Sequence, residues 1–159
     1  IRLNFICTHN SRRSHLSQVW AQVMAAKRGI KINSYSGGTE ATALFKEAKN
    51  ALERDGFKIQ QLSENKNPVY AIKYAENELP IIGFSKKYDD DFNPVNEFCA
   101  IMTCSQADEG CPFVFGSSKR IPITYEDPKV FDGTELQDEK YLERSIEIAT
   151  ELKFVFSMV

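Results

Sequence analysis

A chain of 159 residues is one domain long and can bury a sizeable core, and its formal net charge of −2 argues against nucleic acid or an anionic membrane as the main partner. No apolar run approaches the roughly 20 residues needed to span a bilayer. The four cysteines do not make a disulfide framework in a chain of this size. A reducing, cytoplasmic setting is therefore the expectation, with cysteines that are buried, metal-binding or catalytic. No signal peptide is visible, and because the chain opens on Ile1 rather than methionine its natural start is left open.

Arg2 to Ile6 is short and apolar with turn residues after it, the pattern of a buried strand. It runs into Cys7-Thr8-His9-Asn10-Ser11-Arg12-Arg13-Ser14, a cysteine followed after five residues by an arginine. A helix from Ser14 to Arg28 follows, with Leu16, Val19, Trp20, Val23 and Met24 on one face and Gly29 as its stop. A strand ending in such a loop at a helix start makes an oxyanion site, because loop N–H groups and the helix dipole both favour negative charge there. A cysteine at its floor is held as the thiolate that attacks phosphorus or arsenic. Arg13 supplies a planar fork matched to a tetrahedral oxyanion. Asn10 and Ser14 fall where small polar side chains brace a tight loop, and Thr8, His9, Ser11 and Arg12 complete the candidate anion-binding and bracing set.

A second strand is expected over Lys31 to Ser36, followed by Gly37-Gly38 and a helix from about Ala41 to Asp55. That helix carries Leu44, Ala48, Ala51 and Leu52 on one face and stops at Gly56. Val69 to Tyr74 and Pro80 to Phe84 read as two strands of a hairpin joined by Ala75 to Leu79, with a helix from Val69 to Glu78 as the competing reading. Asp89-Asp90-Asp91 reads as a solvated loop rather than a cation site. Phe98 to Thr103 is almost wholly apolar, as suits the centre of a parallel sheet. A further strand is expected over Arg120 to Tyr125, and a last helix from about Asp138 to Phe156 aligns Leu142, Ile146, Ala149, Leu152 and Phe156. The succession predicts an α/β fold: a parallel sheet flanked by helices on both faces, in a single domain over residues 1–159.

Cys104 and Cys111 lie seven residues apart. On a helix that spacing puts them on one face about 10.5 Å apart, whereas a disulfide needs Cα atoms within about 4.4–6.8 Å. They can pair only if the segment between them unwinds, and Gly110 and Pro112 make it a poor helix and a plausible switch. Two inert buried thiols are the alternative, and Cys99, inside an apolar strand, reads as just that. The spacing does not suit tetrahedral zinc, so no metal is expected. Asp127-Pro128 follows the last strand. A carboxylate there leans over the same crevice as the loop after Cys7 and can protonate a leaving oxygen, then accept a proton from water.

In these residues the chain resembles the arsenate reductases of the thioredoxin-coupled class, which share the low-molecular-weight tyrosine phosphatase fold. The matching positions are Cys7, Asn10, Arg13 and Ser14, then Ser36-Gly37-Gly38-Thr39-Glu40 with Ser36 as a further bracing residue, then Cys104, Cys111 and Asp127-Pro128. The likeness covers nearly the whole chain except roughly Asn65 to Pro94, which looks like an insertion. Two departures stand out. Lys129 and Val130 follow Asp127-Pro128 where tyrosine phosphatases carry aromatic residues, and Arg12 stands where several reductases have a further cysteine.

The resemblance implies arsenate reduction without a metal or organic cofactor. Arsenate is held by the loop and Arg13, Cys7 attacks arsenic, and Asp127 protonates the departing oxygen. Cys104 then attacks Cys7, arsenite leaves, and Cys111 carries the disulfide outward for thioredoxin or another thiol reductant. It also leaves two alternatives: a phosphatase acting on phosphotyrosine or a small phosphate ester with Cys7, Arg13 and Asp127 in the same roles, and a non-catalytic oxyanion sensor.

Overall fold

The computed structural model describes all 159 residues. Its elements in chain order are β1 (Arg2–Cys7), α1 (Arg13–Lys27), β2 (Asn33–Gly38), α2 (Lys46–Arg54), β3 (Lys58–Gln61), β4 (Tyr70–Lys73) and β5 (Ile81–Gly83). There follow β6 (Phe98–Met102), α3 (Ser105–Gly110), β7 (Ser117–Pro122), a 3₁₀ turn at Pro128–Phe131, and α4 (Gln137–Ser157). Four strands form one parallel sheet in the order β2-β1-β6-β7. The other three, β3-β4-β5, form a small antiparallel sheet.

Alternation along β1 and β6 divides the interior in two, as the two-residue period of a strand requires. Phe5 and Ile101 point to one face and join a cluster of 21 buried residues supplied largely by α1, α2 and α4. Ile6, Ala100 and Met102 point to the other, where the cluster has nine buried residues and includes Cys7, Cys104 and Cys111. The expected helices therefore cover the two faces unequally, since only the six-residue α3 lies on the thinner side. On the thick side, Trp20 Nε1 of α1 donates to Ser145 Oγ of α4 at 2.9 Å, and Ser145 passes its own hydrogen to Asp55 beyond α2 at 2.6 Å. No helix is long and apolar enough to cross a membrane.

Several boundaries differ from the sequence expectations. β2 begins at Asn33 and runs through Gly37-Gly38 rather than ending before them. The absence of a Cβ at Gly37 lets the backbone of Tyr88 lie directly against it. α2 begins at Lys46, later than Ala41, because Phe45 is extended (φ −70°, ψ 136°) and its N–H is taken by the Ser11 carbonyl at 2.9 Å. β7 begins at Ser117 and ends at Pro122, three residues ahead of the expected range at each end; its polar Ser117-Ser118-Lys119-Arg120 start lies on the edge of the sheet. Residues 123–125 still track β6, with Ile123 N–H donating to Met102 at 2.9 Å and Tyr125 N–H to Thr103 at 3.2 Å.

The Val69–Phe84 segment is the expected hairpin, paired antiparallel as β4 and β5. β3 joins it as an unexpected third strand, because Lys58-Ile59-Gln60-Gln61 carries no apolar run to announce it. Ile72 and Ile81 of the small sheet enter the larger cluster, so this segment is packed into the fold rather than appended to it. Asp89 and Asp91 are exposed, as a solvated loop requires.

Ile148 of α4 is fully buried in the larger cluster. Ile148→Ala should lower the unfolding free energy by about 2–5 kcal/mol through lost transfer energy and the cavity left behind. Urea unfolding with an unchanged m-value checks this.

Candidate active site

The loop from Cys7 to Arg13 closes on itself by a complete division of its backbone groups. Every carbonyl from Cys7 to Ser11 is bound from outside the loop. Cys7 C=O accepts from Thr39 N–H at 3.1 Å, and Thr8 C=O from Glu40 N–H at 2.8 Å and Thr39 Oγ1 at 3.1 Å. His9 C=O accepts from Thr42 Oγ1 at 3.1 Å and Ser85 Oγ at 3.0 Å. Asn10 C=O faces His15 Nε2 at 2.9 Å, and Ser11 C=O accepts from Phe45 N–H at 2.9 Å. No N–H from Thr8 to Arg12 donates to any protein group. Backbone donors are rarely left without a partner. Five consecutive ones aimed away from bound carbonyls, at the N-terminus of α1, form an anion cradle.

Cys7 is buried at the end of β1, with Sγ 3.0 Å from Ser14 Oγ. Ser14 accepts from Asn10 Nδ2 at 2.9 Å, which leaves its own hydrogen free for the sulfur. Asn10 has a φ of +43°. Asparagine tolerates that left-handed conformation better than most residues, and here it is held on three sides: Ser14, His15, and the Lys86 N–H on Asn10 Oδ1 at 2.9 Å. Gly38 completes the support, since a Cβ there would lie 2.7 Å from both Asn10 N and Thr8 O.

His15 and Ser36 lie beneath the loop. Burial, reinforced by the nearby Lys86 charge, pushes the His15 imidazole down to about 3, so the ring is neutral at physiological pH. A carbonyl can only accept, which places the ring hydrogen on Nε2 facing Asn10. Ser36 Oγ is 3.3 Å from Nδ1 and donates to Gln18 Oε1 at 2.6 Å. Burial also pushes the Lys86 ammonium down, to about 8.

Arg13 is fixed by two contacts: Nη1 donates to Tyr125 O at 2.8 Å and Nη2 to Asp127 Oδ2 at 2.7 Å. Asp127 uses its other oxygen to accept the Lys129 N–H at 3.0 Å, capping the 3₁₀ turn. Arginine and carboxylate thus meet over the cavity that Cys7 and Cys104 also line, with a volume of about 820 Å³. The Arg12 guanidinium donates to Tyr141 Oη at 2.7 Å and Asp132 at 3.0 Å and stacks 3.9 Å over the Phe45 ring. It ties the loop to α4, and Arg12 also lines the cavity. His9 is half-exposed, 3.2 Å from Glu40.

Cys104 and Cys111 bracket α3, so the segment expected to be a poor helix does form a short one. Cys104 is its N-cap, with Sγ accepting the Ala107 N–H at 3.3 Å, and Thr8 Oγ1 lies 3.5 Å from the same sulfur. Cys111 N–H closes the other end on Ala107 O at 3.0 Å. Arg120 clamps this end, donating to Cys111 O at 3.1 Å and pairing with Asp108 at 2.6 Å. All four cysteines are free thiols. Cys99 stands apart on β6, where burial pushes its thiol up and keeps it protonated.

With this cradle in view, the sequence places the chain. Residues 2–82, just over half its length, match the low molecular weight phosphotyrosine protein phosphatase family. The chain belongs to that family. Within this phosphatase family it is similar to the arsenate reductase of Bacillus licheniformis, 27% identical over 140 residues that cover 88% of this chain and 83% of the relative. The low-molecular-weight tyrosine phosphatase of T. tengcongensis shares the fold with a TM-score of 0.66 at 15% identity, covering 100% of this chain and 99% of the other. The arsenate reductase of Archaeoglobus fulgidus does so at a TM-score of 0.60 and 18% identity, covering 98% of each chain.

Ser85, Lys86 and the Tyr125 carbonyl were not legible as site groups, because each reaches the loop from far along the chain and none belongs to a local motif. His15 carries a checkable pH signature. Its folded value is depressed below the ordinary imidazole value of 6.5, so the unfolded state binds the extra proton between 6.5 and about 3. Its contribution to stability is complete above 6.5 and is lost as pH falls through that window. Chemical denaturation across the window should show stability falling with acidification, and His15→Gln should make the slope shallower.

Proposed function

We propose that this chain reduces arsenate to arsenite, with Cys7 as nucleophile, Cys104 and Cys111 as relay thiols, and a thioredoxin-like dithiol as the final reductant. Residues 1–159 act as one catalytic domain in this reading, and the reducing cytoplasm suits its four free thiols. One observation carries it: Cys7, Cys104 and Cys111 belong to the same small buried cluster, with the first two lining the cavity over the anion loop. A phosphatase has use for only the first of the three. The similarity to the Bacillus licheniformis arsenate reductase points the same way.

The chemistry follows from the groups in place. Arsenate enters the cradle and takes the Arg13 hydrogen that Asp127 now accepts. This leaves the Asp127 carboxyl beside the oxygen that must depart. Released from Arg13, Asp127 takes up a proton from solvent and passes it to that oxygen, which leaves as water while Cys7 thiolate forms the sulfur–arsenic bond. Cys104 thiolate attacks Cys7 Sγ, the sulfur–arsenic bond breaks with its electron pair going to arsenic, and arsenite departs. Cys111 then attacks Cys104, releasing Cys7 as thiolate and leaving a Cys104–Cys111 disulfide, which the external dithiol reduces. Thr8 Oγ1, 3.5 Å from Cys104 Sγ, is placed to donate to that sulfur when it carries charge.

The second reading is hydrolysis of a phosphate ester on the same cradle, favoured by the Arg13–Asp127 pair, which serves either leaving group. Cys111→Ser should complete one round of arsenate reduction and stall as a Cys7–Cys104 disulfide, visible by peptide mass spectrometry. Cys104→Ser should lose even the single round, and both should keep any aryl phosphatase activity. Full multiple turnover of Cys111→Ser with thioredoxin as sole reductant overturns the relay. Phosphate-ester turnover without arsenate turnover selects the second reading, and neither activity with retained phosphate binding leaves an oxyanion sensor.

The acid and the fork should separate kinetically. Asp127→Asn should lower kcat by about 10²–10⁴-fold, the usual worth of a positioned acid, with oxyanion binding nearly intact. Arg13→Lys keeps the charge but loses the two-pronged contact, so affinity and turnover should both fall. Steady-state kinetics with phosphate as competing anion checks both.

A further inference from the structure

The stretch of roughly Asn65 to Pro94, which the sequence suggested was an insertion, is reached by the family match over residues 2–82, and it runs directly behind the anion loop. Two consecutive residues of it hold two consecutive residues of the loop. Ser85 Oγ donates to the His9 carbonyl at 3.0 Å and accepts the Thr42 N–H at 2.8 Å. Lys86 N–H donates to Asn10 Oδ1 at 2.9 Å, while its carbonyl accepts the Gly38 N–H at 2.9 Å. Both side chains are 2% exposed. The stretch is itself fastened, because Asn67 donates to Ser85 O at 2.7 Å and accepts from Ser85 N–H at 3.1 Å. A parallel bridge between Gly38 and Lys87 continues the end of β2 into it.

Which way a peptide unit faces is settled by whatever holds its carbonyl, since the N–H of the next residue points the opposite way across the planar unit. The His9 carbonyl is therefore the handle for the Asn10 N–H, and Ser85 grips that handle. Thr42 Oγ1 also reaches it at 3.1 Å, but Thr42 is itself tied to Ser85 through its N–H. We propose that Ser85, fastened by Asn67, is a positioning residue for oxyanion binding: it aims the loop amides at the cradle by holding the His9 carbonyl from behind. The stretch around residues 65–94 thus serves the site from within the fold. This inference rests on the anion-cradle reading, and a different readout tests each.

The probe is inorganic phosphate, measured by calorimetry on the full chain and by protection of Cys7 from iodoacetamide, at a temperature where circular dichroism shows every variant folded. Ser85→Ala should weaken phosphate binding about tenfold, the scale of one lost hydrogen bond in a buried network. Ser85→Thr, which keeps the hydroxyl, should recover most of that loss. A purely structural Ser85 would lower thermal stability while leaving the affinity of the folded protein unchanged, and equal affinity in Ser85→Ala and the parent overturns the proposal. If Ser85→Ala does not fold, Asn67→Ala loosens the same clamp from its half-buried side: weakened phosphate binding supports the proposal and parent-like binding overturns it. A parent chain that binds no phosphate overturns the cradle and this inference with it, whereas a parent that binds phosphate with unchanged affinity in Ser85→Ala overturns this inference alone.

Discussion

The Asn10 backbone, turned to a φ of +43°, is the constraint from which the rest of the site is built. A left-handed residue in the middle of the loop lets the chain reverse between β1 and α1 with its carbonyls outward and its amides inward. That conformation carries strain for any residue with a Cβ, and it persists because three partners hold it, two on α1 and one in the stretch after β5. His15 grips the carbonyl, Lys86 the side-chain oxygen, and Ser14 takes the side-chain nitrogen. The last of these contacts also sets the hydroxyl that faces the Cys7 sulfur. Backbone shape and thiol environment are thus one device.

Each arginine of the loop is matched by a carboxylate. Arg13 is matched by Asp127, Arg12 by Asp132, and His15 is kept neutral by burial. A buried guanidinium without a partner would be costly, and a permanently paired one would be useless for binding. In the proposed reaction, pairing Arg13 with the carboxylate that also serves as the acid resolves the conflict, because the incoming oxyanion exchanges one partner for another.

The sequence made β1, the loop and α1 legible because their signal is contiguous: an apolar run, small polar residues, and a helical face beginning at Leu16. The same holds for the hairpin of β4 and β5 and for α4. What escaped lay either on polar edges or across long separations. β3 and the first half of β7 are polar edge strands, so they show no apolar alternation, and their partners rather than their own residues make them strands. Ser85 and Lys86 touch the loop across 76 residues, and a serine followed by a lysine carries no periodicity to mark it. Arg12 braces the loop, but its partners were not legible, because proximity in sequence to a binding loop does not fix where a long side chain goes. Its direction was decided by Tyr141 and Asp132, which lie far along the chain.

The unequal covering of the sheet has a consequence for motion. On one face, 21 buried residues and three helices interlock, whereas on the other a six-residue helix rests on a cluster of nine, three of which are cysteines. Local opening draws on the apolar contacts of the unit that opens. The thinner face can therefore detach and reclose as a small cooperative unit while the thicker one stays folded. Amide exchange in α3 then follows a local equilibrium rather than global unfolding. The two outer thiols ride on the thinly packed face, while Cys7 is anchored at the end of β1, beside the start of α1.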